Sequence, residues 1–305
     1  MAPYDPRTRA PFLPMLPTAF DLPGKAGNGL PFDSDRPLSP GTRLAGRFEV
    51  ISCLDEGRCG FLYRVRDRQD GDRERVLKTL DPRRSDARDE EWFRREMRLL
   101  QRLSHPRIPK GLGIVAHADM LCALQSEVKG IDLHAHVMRE GPLSEAEGRE
   151  VLRQGLAILE HLHTRTPRIL HRDVKPDNLI RDPEGGIWLI DFGAASDLPD
   201  RPREGNCRDL TALQTLGFAA PEQALGLQSF PASDCFSLAA STLFLVTGRN
   251  PVCFFDGTHG RYMIDAPLSE GVISLLERML AIPAGARFSS AREALDCLEG
   301  LPAAR

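Results

Sequence analysis

Residues 171 to 193 read HRDVKPDNLIRDPEGGIWLIDFG, a polar loop that runs into an apolar strand and ends on an acid. This stretch constrains the fold more than any other, because its polar side chains can act together only if the loop and the strand end face one another. Asp173 and Asn178 lie five residues apart on the loop, and Asp191 directly follows the strand Ile187-Trp188-Leu189-Ile190. Brought together, the three offer hard oxygen ligands of the kind that hold a magnesium-bound triphosphate.

Phosphoryl transfer needs a cation to offset the phosphate oxygens, oxygen ligands to hold that cation, and a carboxylate beside the attacking hydroxyl. Asp191 and Asn178 suit the metal. Asp173 suits the hydroxyl, which it can orient and relieve of its proton late in the transfer. Lys175 places an ammonium where negative charge builds on the transferred group. On these residues the chain resembles the eukaryotic-like serine/threonine protein kinases, whose catalytic loop is matched by His171-Arg172-Asp173, Lys175 and Asn178, and whose magnesium motif is matched by Asp191-Phe192-Gly193. The resemblance implies an α+β, bilobal fold: a small, mostly antiparallel sheet with one helix above a larger, mostly helical lobe. ATP and Mg2+ are then the implied cofactors, held in the cleft, with protein hydroxyls as acceptors. Lys175 and the intact Ala220-Pro221-Glu222 element favour proteins over small molecules as substrates.

Composition allows this. A chain of 305 residues, 41% hydrophobic and 27% charged, can bury the core of a two-lobed domain. The net charge of -3 lacks the clustered basic excess that nucleic-acid binding requires. Seven cysteines, an odd number without a C-x-x-C pair, argue against a disulfide framework or a zinc site and for a reducing compartment. The most apolar stretch, Phe236 to Gly248, falls short of the roughly twenty residues that a bilayer core requires. Asp5, Arg7, Arg9 and repeated prolines interrupt any signal-like run at the N-terminus. A cytoplasmic protein without a membrane span is the expectation.

Residues 1–40 carry nine prolines and three glycines, so no regular element propagates there, and the stretch reads as a tail or linker. The domain then occupies residues 41–302, dividing near 128 into two lobes. A strand through Leu54 and another from Phe61 to Val65 flank a turn over Asp55–Gly60. Alone this is a simple hairpin. Placed before Val76-Leu77-Lys78, it matches the family's glycine-rich loop, which puts Leu54, Gly57, Gly60, Leu62 and Val76 around the nucleotide and Lys78 on its α and β phosphates. Asp55 replaces the first glycine of the pattern, and Val76 replaces a small alanine. The carboxylate repels phosphate, and the valine narrows the adenine slot.

Helical spacing over Glu91–Leu103 gives two apolar stripes, Phe93, Met97 and Leu100 on one, Trp92, Leu99 and Leu103 on the other with Glu96 in line. A carboxylate inside an apolar stripe needs a cation, and the resemblance pairs Glu96 with Lys78. Leu121 to Val128 reads as the last strand of the small lobe. By resemblance it leads into the adenine-binding segment, with the Ser126 carbonyl and Val128 amide as contacts, Gln125 behind the pocket and Asp132 toward the ribose. Ser144 and Glu147 form a capping box that opens the next helix, with Val151, Leu152, Leu156, Leu159 and Leu162 on its buried face. His161 and His163 at its end read as ordinary polar residues rather than metal ligands.

Between Asp191 and Glu222 lies a polar segment with Arg201, Arg203 and Arg208. The resemblance makes Thr211 a phosphoacceptor there, Arg172 the clamp for its phosphate, and Thr215 a bridge to the catalytic aspartate and lysine. It also pairs Glu222 with Arg287 and sets Asp234 beneath the catalytic loop. Protein substrates are the implied partners, the chain itself among them through self-association. A nucleotide-binding scaffold without turnover is the alternative that Asp55 and Val76 support, and a small-molecule kinase is the lesser one.

Overall fold

The computed structural model describes residues 36–197 and 217–303. Alternating apolar residues between positions 43 and 126 build an antiparallel sheet from β1 (Arg43–Leu44), β2 (Phe48–Gly57), β3 (Gly60–Asp67), β4 (Arg73–Leu80), β5 (Gly111–His117) and β6 (Met120–Ser126), in the order β1-β2-β3-β4-β6-β5. On one face Phe48, Val50, Tyr63, Val65, Leu77, Met120 and Cys122 pack together. The other face turns Leu80 and Ala123 toward Phe93 and Met97 of helix α1 (Ala87–Arg102). The Tyr63 hydroxyl accepts from the Leu38 N–H at 3.0 Å, which holds the chain just before β1 on the sheet. Residues 1–35 of the proline-rich stretch lie outside the described residues.

Three local expectations are corrected. Gly57 pairs with Gly60, so the turn expected over Asp55–Gly60 shrinks to Arg58-Cys59. Register offsets after Val50 and Cys53 allow the ladder to continue, and Arg84 braces its rim through the Glu56 carboxylate at 2.9 Å and the Gly57 carbonyl at 3.2 Å. Helix α1 starts at Ala87 rather than Glu91 because two aspartates form its capping box. Asp86 Oδ1 accepts from the Arg88 and Asp89 N–H groups at 2.8 and 2.9 Å, and Asp89 accepts from the Asp86 N–H at 3.0 Å. Trp92 leaves its expected stripe and is 44% exposed, whereas Leu99 and Leu103 are buried. Helix α1 also belongs to two cores: Phe93 and Met97 lie in the small one under the sheet, and Leu99, Leu100 and the capping residue Leu103 in the large one of the second lobe.

That second lobe is mostly helical. It contains β7 (Ile131–Asp132), α2 (Leu133–Glu140), α3 (Glu145–His163), β8 (Leu179–Arg181), β9 (Ile187–Leu189), α4 (Pro221–Ala224), α5 (Pro231–Thr247), the short pair β10 (Phe255–Asp256) and β11 (Arg261–Tyr262), α6 (Glu270–Met279) and α7 (Ala291–Glu299). Helix α3 starts at the expected box, Ser144 and Glu147 each accepting from the other's N–H. Helix α5 is buried all round from Ala232 to Leu245. Its Ser241 and Thr242 hydroxyls are satisfied by the Ser237 and Leu238 carbonyls, at 2.7 and 2.9 Å, so they need no solvent. In the same lobe the small sheet β7-β8-β9, packed on α2 and α3, brings the end of β9 to the loop that precedes β8, where the Ile190 N–H meets the Asn178 carbonyl. The result is the bilobal α+β arrangement that the resemblance implies. Among the described residues no helix is long and apolar enough to cross a membrane.

Candidate active site

The loop between α3 and β8 is shaped from beneath by Asp234, in the first turn of α5. Its Oδ1 accepts from the Arg172 N–H at 2.8 Å, and its Oδ2 from the His171 N–H and from His163 Nε2, both at 2.9 Å. The support is needed because Arg172 has φ +68°, a left-handed conformation that disfavours a side chain by roughly 1–2 kcal/mol. Gln223 adds a bond from Nε2 to the Arg172 carbonyl at 3.1 Å.

His171 is fully buried, and burial lowers its pKa. Its Nε2–H donates to the Ile190 carbonyl at 3.1 Å, while its ring meets Phe192 edge-on with centroids 4.7 Å apart. The Ile190 N–H donates in turn to the Asn178 carbonyl at 3.0 Å. Loop and strand end are thereby fastened to each other, as the sequence pattern requires.

On this frame Asn178 Nδ2 donates to the Asp173 carbonyl at 2.8 Å and to Asp173 Oδ2 at 3.0 Å, an orientation that leaves the amide oxygen as an acceptor. Lys175 Nζ lies 3.0 Å from the same Asp173 Oδ2. Burial favours its neutral amine, but the Asp173 carboxylate outweighs this and raises its pKa, with a smaller contribution from Asp191. Asp191, at φ +58°, accepts from the Gly193 N–H at 3.2 Å and stands 3.8 Å from Lys78 Nζ. Lys78 donates to Glu96 Oε2 at 2.8 Å. Burial disfavours charge on Lys78, yet the Glu96 and Asp191 carboxylates prevail and hold its pKa above the ordinary lysine value. Desolvation by the surrounding protein likewise pushes Asp191 up, although its side chain is 47% exposed, and the Lys78 ammonium brings it below the usual carboxylate range. The six expected polar residues thus fall into two triads, Lys78 with Glu96 and Asp191, and Asp173 with Asn178 and Lys175. Beyond Asp191, Arg95 and Arg102 of α1 hold Asp197 at 3.3 and 2.9 Å. Arg201, Arg203, Arg208, Thr211 and Thr215 lie outside the described residues.

Around the cleft the placements are uneven. Leu54 is exposed on β2, Leu62 pairs with Lys78 across the ladder, and buried Val76 pairs with Gln125. Gly60 is required by the sheet itself, since a Cβ there would lie 2.3 Å from the Thr79 carbonyl oxygen. Gly57 is less confined: a Cβ there would meet its nearest neighbour, the Gly60 carbonyl oxygen, at 3.5 Å. Ser126 is fixed by Lys110, whose N–H donates to the Ser126 hydroxyl and whose carbonyl accepts the Ser126 N–H, both at 2.9 Å. Val128 is half-buried in the connection after β6. Asp132 caps α2, its Oδ1 accepting from the Ala135 N–H at 2.7 Å, so one of its oxygens is committed before any ribose arrives. Glu222 and Arg287 form the expected pair, bidentate at 2.7 and 2.9 Å, with Ser233 donating to Glu222 at 2.6 Å. His163 is the residue whose role the sequence conceals: its partner Asp234 lies 71 positions away, and no local spacing announces it.

The donor set suits Mg2+ with a polyphosphate. Asp191 and Asn178 supply hard oxygens and leave the remaining positions to phosphate and water, while Lys78 and Lys175 supply cationic charge. Among the described residues no group of three His, Cys, Asp or Glu side chains forms a metal site of its own.

Comparison with known proteins agrees with this geometry. The family model described as a protein kinase domain matches residues 48–297. Serine/threonine-protein kinase F of Synechocystis sp. (strain ATCC 27184 / PCC 6803 / Kazusa) is 32% identical over 281 residues, covering 84% of this chain and 56% of that protein. Serine/threonine-protein kinase PrkC of Bacillus subtilis (strain 168) is 30% identical over 220 residues, 71% of this chain and 32% of its own length. The chain spans about half the length of the first curated relatives it matches. Among solved structures, the Mycobacterium tuberculosis PknI kinase domain superposes with a TM-score of 0.63 at 26% identity, covering 86% of this chain and 99% of that one. With the catalytic-loop and magnesium-motif residues gathered at one cleft, the chain belongs to the eukaryotic-like serine/threonine protein kinase family.

Proposed function

We propose that the chain transfers the γ-phosphoryl group of ATP, with Mg2+, to serine or threonine hydroxyls of proteins, itself among them. The observation that carries this reading is a pair of triads, Lys78 with Glu96 and Asp191, and Asp173 with Asn178 and Lys175, each held by contacts of 3.8 Å or less and tied to the other by the Ile190 N–H bond to the Asn178 carbonyl. Bound Mg-ATP supplies the transferable group and the metal charge that offsets its oxygens. The chain's own part is to bind, orient and move a proton. Asp191 and the Asn178 amide oxygen hold the metal, and Lys78, kept charged by Glu96, takes the α and β phosphates. Asp173 accepts a hydrogen bond from the acceptor hydroxyl and receives its proton late in the transfer. Lys175, beside it, offsets charge on the transferring group.

The Ser126 carbonyl and Val128 amide are assigned to the adenine, Leu54, Gly57, Gly60, Leu62 and Val76 to the walls of its site, and Asp132 to the ribose. Thr211 is assigned as the phosphoacceptor of the activation segment, Arg172 as its clamp, and Thr215 as the bridge to the catalytic loop. We assign the domain to residues 41–302. A reducing, cytoplasmic setting suits the six described cysteines, which are all free.

Asp173→Asn tests the central assignment. Autophosphorylation measured by radiolabel transfer should fall below detection, with the calorimetric affinity for Mg-ATP near that of the parent. Equal turnover in variant and parent refutes the role of Asp173. Label on a small-molecule acceptor, with none on protein Ser or Thr, refutes the acceptor class. Mg-ATP binding without any transfer favours a scaffold.

A further inference from the structure

The tip of the β2–β3 hairpin, the lid over the nucleotide in the reading proposed above, carries Asp55 and Glu56 where a phosphate site calls for neutral, small residues. The structure engages these charges within the small lobe. Asp55 Oδ1 accepts from the Glu56 N–H at 2.8 Å, and Glu56 Oε1 accepts from Arg84 Nη2 at 2.9 Å. At the tip, both arms of the Arg58 guanidinium reach Asp89, Nη1 to Oδ2 at 3.2 Å and Nη2 to Oδ1. Asp89 is only 8% exposed and is itself locked into the α1 capping box. It precedes Glu96 by about two helical turns, so the two acids share one face of α1. One face therefore holds the lid tip through Arg58 and the phosphate-facing lysine through Glu96.

We propose that Arg58 is a positioning residue for the nucleotide phosphates: its clamp on Asp89 fixes the backbone amides of the lid tip and sets the lid by the position of α1. This rests on the phosphoryl-transfer reading above. Arg58 acts through the main chain of Arg58–Gly60, whose N–H groups are the donors that a lid offers to phosphate oxygens. In a lid paired as far as Gly57 and lacking a glycine at 55, closure is preset by this clamp rather than left to loop flexibility, which reduces the ordering that phosphate binding must impose.

The test uses Arg58→Ala and Arg58→Lys in the full chain. The Arg58 side chain is 56% exposed, so neither change opens the core. Amide hydrogen exchange over residues 54–62 is measured without nucleotide, and the affinities for ATP, ADP and adenosine are measured by calorimetry with Mg2+. Arg58→Ala should exchange faster in this segment and bind ATP and ADP about five-fold more weakly, with adenosine changed by less than about two-fold and Arg58→Lys intermediate. Unchanged exchange in Arg58→Ala overturns the clamp, as does an equal loss for adenosine and ATP. A parent that binds Mg-ATP, with a variant that binds it equally well, removes the clamp and leaves the phosphoryl-transfer reading intact. A parent that binds no Mg-ATP removes that reading and the phosphate role of Arg58 with it.

Discussion

Asp234→Asn probes the support of the catalytic loop with the smallest possible change in shape. The carboxylate, 1% exposed, receives three N–H donors, two on Oδ2 and one on Oδ1. An amide in its place does best by turning its oxygen to the two-donor position, which serves His171 and His163. Its NH2 group then faces the Arg172 N–H, donor against donor. One charge-assisted bond is lost and one buried N–H is left without an acceptor, at about 2 kcal/mol. For a domain of this size that corresponds to a fall of about 4–8 °C in melting temperature. The loss falls on the residue held at φ +68°, next in sequence to Asp173. The loop should therefore relax where the proposed function aligns the acceptor hydroxyl, lowering kcat by at least about ten-fold while the Mg-ATP affinity, which that proposal assigns to Lys78 and Asp191, stays within about two-fold. Thermal unfolding followed by circular dichroism, with calorimetric binding and steady-state turnover, reads all three quantities. A variant that melts within about 1 °C of the parent refutes the packing argument. One that melts lower but retains full kcat refutes the link from Asp234 to catalysis.

Two other outcomes follow from contacts described above. Gly60→Ala places a methyl group against the Thr79 carbonyl and should destabilise the fold by about 2 kcal/mol, whereas Gly57→Ala should stay within about 0.5 kcal/mol; urea unfolding compares them, and equal effects contradict the close approach. Burial lowers the pKa values of His105, His117, His161 and His171. Below the unfolded histidine value of about 6.5 the unfolded chain takes up protons that the folded chain refuses, so stability should fall as pH drops through this region, and a melting temperature that is flat or rises between about pH 7.5 and 5.5 contradicts this.

The sequence was most readable where chemistry and local spacing coincide. The catalytic loop, the acid after β9 and the Ser144–Glu147 box each announce themselves within a few residues. The start of α1 was hidden because aspartates fill both places of its capping box, where serine or threonine followed by glutamate is the usual signature. Trp92 has the right spacing for a buried stripe, but helical periodicity cannot say how far round α1 the contact extends. Asp132 and His163 illustrate a different gap. Each uses side-chain atoms on a helix end or a distant acid, and such partners exist only once the chain has folded. Gly60 resembles a residue kept small for a ligand, yet the Thr79 backbone already excludes a side chain there.

The division of α1 between two cores makes it a lever. Its C-terminal end is fixed on both sides, Leu99 and Leu100 in the large core and Leu100 and Gln101 against Gly111 of β5, so Leu100 serves as a fulcrum. At about 1.5 Å per residue, Glu96 lies about 6 Å along the arm and Asp89 about 16 Å. A tilt of about 10° would carry Glu96 by about 1 Å and Asp89 by about 3 Å. The first displacement strains the bond to Lys78 while leaving the charges close; the second separates Asp89 from Arg58. A small rotation would thus part Asp89 from Arg58 before it parts Glu96 from Lys78, so the two ends of one helix face give way in sequence.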